Sequence, residues 1–375
     1  MAIITNEDID DLAVGAALLG TGGGGDPYIG KLMAKAAIER HGPVDLLALD
    51  DVPDDIEVAA CGAMGAPTIL IEKMPSGEEI GLALRAYENR VGKAMGAIIP
   101  FEAGGINSMV PIMLAAECRL PVIDADGMGR AFPQLEMETF NVYGVPAAPV
   151  TVADEQGNVV IIETESAAKA EWLARGVTIR MGGQSYIVNY GMDGRTTRRV
   201  SVPGTMSLAI GIGSTIRLAL AAHRDPLADL IEFFSGTHYE TARLLASGKV
   251  VDVSRREQNG WSVGVVTIEP FDTSRRPVRI QIQNENLVAE EDGRVLAIVP
   301  DLICILEADT AEPITTERLR YGQRVNVLGV KVPPIMRTPE ALDVFGPAAF
   351  GLTQNYARSR PVRSGLARDM LLKAR

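Results

Sequence analysis

Residues 97–133 read AIIPFEAGGINSMVPIMLAAECRLPVIDADGMGRAFP, and the fold is decided there. Ala97 to Phe101 is a short apolar run bounded by turn residues, which reads as a buried strand. Ser108 to Cys118 is apolar for longer than a strand needs and reads as a helix. Pro121 to Ile123 starts a second strand. Strand, helix and strand joined by short loops make a parallel β-α-β unit. The same pattern precedes it, with a strand over Ile56 to Ala60 and a helix from Ser76-Gly77-Glu78-Glu79 to about Val91. Right-handed crossovers bring every strand-to-helix loop to one edge of such a sheet. Ligands of open α/β sheets bind beyond the carboxyl ends of the strands. Three loops therefore converge: Cys61 to Pro67, Glu102 to Asn107, and Asp124 to Pro133.

Upstream, Ile9, Leu12, Ala13, Ala16 and Leu19 recur at helical spacing, so Asn6 to Leu19 is a helix with Asn6 able to cap it. Gly20-Thr21-Gly22-Gly23-Gly24-Gly25-Asp26-Pro27 ends it. A second helix runs to about Arg40, with Asp26 suited to its cap and Pro27 to its first position. Downstream the character changes. Val150 to Val152 and Val159 to Ile162 flank Asp154-Glu155-Gln156-Gly157-Asn158 and read as a hairpin. Helices follow around Thr205 to Ala222 and Pro226 to Phe234. Short strands and turns dominate Val250 to Val330, with Glu291-Asp292-Gly293 as a clear turn. The expected architecture is α/β: an N-terminal parallel β-α-β domain over 1–165 and a C-terminal β-rich α+β domain over 166–360. The basic tail after Tyr356 reads as a final helix or a frayed end.

The 375 residues are 47% hydrophobic, enough for a large core, and carry a formal net charge of -12. An acidic chain is a poor general surface for nucleic acid; Arg195, Arg198 and Arg199 read as a solvated loop. Cys61, Cys118 and Cys304 are scattered without a CxxC pair, so neither a zinc ribbon nor a disulfide framework is indicated. The start MAIITNEDID has no signal-peptide core. No apolar run reaches the roughly 18 residues of a membrane span. A cytoplasmic protein that engages neither membrane nor nucleic acid is expected.

Gly20 to Gly25 fits G-x-G-x-x-G, but a helix precedes it where the dinucleotide fingerprint needs a strand. No Gly-Lys-Ser/Thr follows, so it is not a P-loop either. No nicotinamide or flavin is expected. Gly22, Gly23, Gly24, Gly25 and Asp26 remain candidates for substrate binding, because glycines permit positive φ and close approach and a helix N-terminus favours anions. The bland alternative is a tight turn between helices. Asp124 and Asp126 flank Ala125 past a buried strand, with Glu102 and Asn107 on the neighbouring loop. Carboxylates brought together split into base and acid, so Glu102, Asp124 and Asp126 are the candidate catalytic groups. The same three are hard oxygen ligands for one divalent cation, should a metal be used. Turn capping is the competing reading for each. Arg130 is placed to clamp a substrate carboxylate, or to pair with one of these aspartates. Cys61 sits at the same edge, but His41, His223 and His238 lie away from it, which favours a buried structural cysteine over a nucleophile. In Gln283-Asn284-Glu285-Asn286, Asn284 and Glu285 are candidates for binding a ring with alternating donors and acceptors.

GTGGGGDPYIG, MGAPTILIEK, FEAGGINS, PVIDADGMGRAFP, IQNENLVA, VPDLI and YGQRVNVLGV together resemble one bacterial family. It is associated with hydantoin utilisation and named for an S-methyl thiohydantoin desulfurase. The resemblance runs from about residue 8 to 350 and implies N- and C-terminal desulfurase domains. It also implies hydrolytic removal of sulfur from a thiohydantoin-type five-membered ring, a small cyclic substrate. It assigns no catalytic residues. Three alternatives remain open: another cyclic-amide hydrolase, a partner subunit of a hydantoinase or oxoprolinase, and a non-catalytic binder of a small acidic metabolite. A homo-oligomer is expected.

Overall fold

The computed structural model describes residues 2–65, 69, 73, 75–258 and 261–356, without the side chains of 257 and 258. Most of the MGAPTILIEK motif beyond Gly65, including the end of the expected Cys61 to Pro67 loop, lies outside the described residues. So does the tail after Tyr356.

The central strands of the first sheet are β2 (Val44–Ala48), β5 (Val122–Asp126), β4 (Ala97–Pro100) and β3 (Glu57–Gly65), side by side in that order. All three pairings between them are parallel. Helix α3 (Glu79–Val91) links β3 to β4 and α4 (Val110–Cys118) links β4 to β5, as the β-α-β reading required. Strands buried on both faces need apolar side chains on both. Ala59, Cys61 and Ile98 accordingly pack with α3 and α4 on one side, while Ala60, Ile99 and Ala125 pack with Phe140 and Tyr190 on the other. Cys61 lies inside β3, level with Pro100, and not in a loop after it.

The sheet extends at both ends. Antiparallel β1 (Ala2–Ile4) borders β2. Beyond β3 come β8 (Gln184–Asp193), β6 (Val150–Ala153) and β7 (Val159–Ile162), all antiparallel, and β6 and β7 form the expected hairpin. β8 lies past residue 165, so the second half of the chain helps build the first sheet. Helices α1 (Asn6–Leu19) and α2 (Tyr28–His41) bracket the glycine loop. Short α5 (Thr139–Val142) follows β5, then α6 (Ala167–Arg180) and α7 (Gly194–Val200). β9 (Val202–Pro203) pairs with β5 and leads into α8 (Thr205–Ala221) and α9 (Pro226–Ser235).

The second sheet is antiparallel throughout, in the order β14 (Arg294–Ile298), β13 (Glu285–Glu291), β12 (Val278–Gln283), β11 (Trp261–Pro270), β10 (Ala242–Gln258), β16 (Arg324–Val330), β15 (Leu302–Glu307). Ala289 and Ala297 near one end share a core with Ile303 and Ile305 at the other, so the sheet curls over itself. The protein is therefore an N-terminal α/β layer with parallel strands joined to a C-terminal β-rich antiparallel sheet. α10 (Pro339–Phe345) closes the described chain against the loop after β5, with Phe345 stacked on Phe132 at 4.9 Å.

Candidate active site

The parallel strands end where their apolar pattern gives way to Gly, Asp, Asn and Glu, and the loops that follow are tied together. Asn107 Oδ1 accepts the Ala63 N–H at 2.7 Å, while Asn107 Nδ2 donates to Glu102 Oε1 at 2.9 Å. Phe132 N–H donates to the other oxygen of Glu102 at 3.3 Å. One carboxyl group and one amide thus join β3 to the loops after β4 and β5. The carboxyl of Asp126 accepts the N–H groups of Ala103 and Gly129, the latter at 2.9 Å. The glycine loop closes on the same place, with Ile106 N–H donating to Gly24 O at 3.1 Å and Ala131 N–H to Leu19 O at 3.2 Å.

The second sheet supplies the remaining wall. Asn286 N–H donates to Thr21 O and Thr316 N–H to Gly22 O, both at 2.8 Å. A Cβ at Gly23 would lie 2.2 Å from Glu285 Oε1, and one at Gly22 would lie 2.9 Å from Asn286 Nδ2. These glycines therefore make room for two side chains of the C-terminal sheet. Close approach is real at this loop, and what approaches is Glu285 and Asn286.

Arg130 is fully buried. Its Nε donates to Ala131 O at 2.9 Å and its Nη1 to Asp301 O at 3.2 Å, and the guanidinium lies over the Phe132 ring at 4.8 Å. Its Nη2 has no partner among the described residues. Glu102, Asp126, Glu138 and Glu285 are buried in this region. Desolvation disfavours the charged form of each. Burial raises Glu102 to about 7 against the opposing pull of Asn107, the Phe132 N–H and Arg130. Burial raises Asp126 to about 8, with two backbone N–H groups opposing and Glu102 adding to the rise. Glu285 is likewise carried by burial to about 8, opposed chiefly by Arg130. Burial holds Glu138 well above the ordinary carboxyl range, reinforced by Asp126 and Glu102. Burial lowers Arg130 to about 10, Glu285 being the strongest influence in the other direction, so the guanidinium stays charged at neutral pH.

The profile of the S-Me-THD-like N-terminal domain matches residues 7–164, and that of the S-Me-THD-like C-terminal domain matches residues 165–359. The chain belongs to the S-Me-THD-like family. A structural-genomics crystal structure of a protein from Chromobacterium violaceum has the same fold at a TM-score of 0.80 and 22% identity. The match covers 95% of this chain and 99% of that one. Comparison with functionally curated proteins gives no match. Among the described residues no helix is long and apolar enough to cross a membrane.

Within this family member, Glu102, Asn107, Asp126 and Arg130 come together as their loops converge, and Gly22, Gly23 and Glu285 join them across the interface between the sheets. Asp124 shares a strand face with Asp126 but serves elsewhere. Its Oδ1 accepts the Ser207 N–H at 2.9 Å and its carbonyl the Gly204 N–H at 2.8 Å, so it caps the start of α8. The expected metal trio is thereby divided. No group of three or more His, Cys, Asp or Glu side chains arranged to hold a metal ion occurs among the described residues. Asn284 occupies positive φ, at 58°, in the turn between β12 and β13, and its Oδ1 accepts the Ser262 N–H at 2.9 Å, a turn role. Gly24 and Gly25 shape the loop at φ of 72° and 77°. Asp26 is exposed, accepts the Tyr28 N–H at 2.9 Å, and borders an outer groove with Tyr28, Lys31, Thr315 and Arg318. Cys61 is buried, and burial pushes its thiol far from the thiolate a nucleophile needs. Cys304 is buried too, its thiol pushed up to about 12, and donates to Leu18 O.

Two residues of the cluster escaped the sequence reading. Glu138 lies in Glu136-Met137-Glu138-Thr139, between strands, where an acid reads as solvated. It is fully buried, and neither of its oxygens has a partner among the described residues. Asn286 was seen only as part of a polar run. The usable signal was the unbroken apolar run after it, since Leu287, Val288 and Ala289 in succession mark a strand buried on both faces.

Proposed function

We propose that this protein is a hydrolase that removes sulfur from a thiohydantoin-type five-membered ring. Water adds to the ring carbon bearing sulfur, giving a tetrahedral centre. The C–S bond then breaks and the carbonyl of a hydantoin forms. Sulfur leaves as hydrosulfide, or as methanethiol when the ring carries an S-methyl group.

The observation that carries this reading is the pair Glu102 and Asp126, buried at the ends of adjacent parallel strands with affinities for protons near neutrality. Glu102 and Asp126 each accept donors at both oxygens, but only Glu102 also has the Arg130 charge favouring its ionised form, so Glu102 serves as the base that takes the proton of the attacking water. Asp126, whose charged form is disfavoured by burial and by neighbouring Glu102, holds a proton and supplies it to the departing sulfur. The hydroxyl proton of the tetrahedral centre, released as the carbonyl forms, reprotonates Asp126. The proton taken up by Glu102 passes to the ring nitrogen of the S-methyl form, or to solvent when hydrosulfide leaves, which returns the pair to its starting state. Membership of the S-Me-THD-like family supports the choice of ring and of leaving group.

Purified protein is incubated with 2-thiohydantoin and with its S-methyl form, and hydrosulfide or methanethiol is measured. Turnover is expected for at least one, and Glu102→Gln and Asp126→Asn should each lower kcat by about 10²–10⁴-fold with little change in substrate affinity. No sulfur release from either ring, with hydrolysis of an unmodified cyclic amide, would move the assignment to a cyclic-amide hydrolase.

A further inference from the structure

Three polar atoms at the seam between the sheets lack partners among the described residues: Arg130 Nη2, Glu285 Oε2 and Asn286 Oδ1. Their residues are 0%, 3% and 0% exposed. Buried polar groups are rarely left unpaired, because each costs the full desolvation of a lost hydrogen bond. Their placement is fixed. Arg130 is held by Ala131 O and Asp301 O, which leaves only Nη2 free. Asn286 Nδ2 donates to Ile303 O at 2.8 Å, which settles the amide orientation and makes its free end an acceptor. The Glu285 carboxyl and the Asn286 amide lie against adjacent glycines, Gly23 and Gly22, so both side chains border the glycine loop. Glu285 is also the strongest opposite charge acting on Arg130. One donor and two acceptors are thus left unpaired in the buried region where the glycine loop meets the second sheet.

We propose that Arg130, Glu285 and Asn286 form a recognition edge for a ring with unsubstituted N–H groups beside a carbonyl, and that they determine specificity for that pattern. Arg130 Nη2 donates to a ring carbonyl oxygen or thiocarbonyl sulfur. Glu285 Oε2 and Asn286 Oδ1 accept from ring N–H groups. The ligand class is a small cyclic ureide, thioureide or imide. The inference rests on the reading above for its choice of ring, but it concerns binding and holds whether or not sulfur is removed. It gives the C-terminal sheet the task of reading the ring edge, while Glu102 and Asp126 of the N-terminal sheet act on the carbon.

The test uses calorimetry with hydantoin, a ring with no sulfur to lose, and with its N1- and N3-methyl derivatives. The full-length protein should bind hydantoin and reject at least one methyl derivative by about 10²-fold or more, since a site built to accept an N–H is left with a buried unpaired acceptor. Asn286→Ala or Glu285→Ala, which remove an acceptor and open space, should reduce that discrimination to about tenfold or less. Equal binding of hydantoin and both methyl derivatives by the unaltered protein overturns the proposal without recourse to any variant. Undiminished discrimination in both folded variants also overturns it. Discriminating hydantoin binding without sulfur release from thiohydantoins would defeat the desulfurase reading and leave this one standing. Sulfur release with no preference for free N–H groups would do the reverse.

Discussion

Replacing Gly23 by alanine isolates the reason for the glycine run. Gly22 and Gly24 sit at φ of 92° and 72°, where any side chain is strained, but Gly23 is not among the positive-φ glycines. Its backbone accepts alanine, and the obstacle is contact alone. The new Cβ would lie 2.2 Å from Glu285 Oε1, 2.6 Å from Cγ and 2.7 Å from Cδ. Glu285 is buried and its strand is paired on both sides, so it has little freedom to withdraw. Overpacking of this kind costs about 1–3 kcal/mol. Loss of glycine freedom in the unfolded chain offsets about 0.4–1 kcal/mol of that. A net loss of about 1–2 kcal/mol is expected, read from urea unfolding midpoints at constant m. The cycle is completed with Glu285→Ala, which empties the space the Cβ needs. Gly23→Ala should then be neutral or stabilising by up to about 1 kcal/mol, a coupling of about 1–3 kcal/mol between the two positions. Glu285→Gln keeps the bulk and should preserve the cost. An undiminished loss in the Glu285→Ala background, or no loss in the unaltered protein, would refute the claim that these glycines accommodate the second sheet.

Glu102, Asp126 and Glu285 have folded-state values of about 7, 8 and 8, above the roughly 4 of an unfolded carboxyl. Their stabilising contribution is complete below about pH 4 and is lost as pH rises through 7 to 8. The urea midpoint should therefore fall between about pH 4 and 8, less steeply in Glu285→Gln; a midpoint that climbs steadily over this range contradicts the burial argument. Asp124→Ala should cost about 1 kcal/mol through loss of the α8 cap while turnover on a thiohydantoin stays within a few-fold, whereas a kinetic loss equal to that of Asp126→Asn would place Asp124 in the chemistry. Cys61→Ala should likewise retain turnover, and loss of sulfur release in a folded Cys61→Ala protein would restore the thiol as a candidate nucleophile.

The legible parts of this molecule were those whose signal is local. Ala97 to Phe101 and Ser108 to Cys118 declare strand and helix by run length, and their order alone brings Glu102 and Asp126 to one sheet edge. β2 was missed because Val44-Asp45-Leu46-Leu47-Ala48 is too short and mixed to stand out from the loop around it. β8 announces itself as a strand no more clearly, and nothing in its sequence says that it returns to pair with β3 across the change of character after residue 165. Asp124 and Asp126 illustrate the limit most sharply. They lie two apart on one strand, hence on one face, and composition cannot separate them. What separates them is α8, whose N-terminus arrives from about eighty residues later in the chain and engages Asp124 only.

The glycine loop carries the same lesson into the site itself. Four consecutive glycines read as room for a ligand to come close to the backbone. A sequence names the residue that permits an approach, and the approaching group is known only when the second sheet is in place. Here Glu285 and Asn286 occupy that space, more than 260 residues away in sequence. This changes what the loop is for. A flexible anion cradle would tolerate side chains wherever its N–H groups still face the ligand. A seam between two sheets tolerates them only where the opposing side chain is small. The loop's requirement for glycine therefore follows the residue at 285 and not the charge of a ligand, which is why the paired substitution at Gly23 and Glu285 separates the two accounts and Gly23→Ala alone does not.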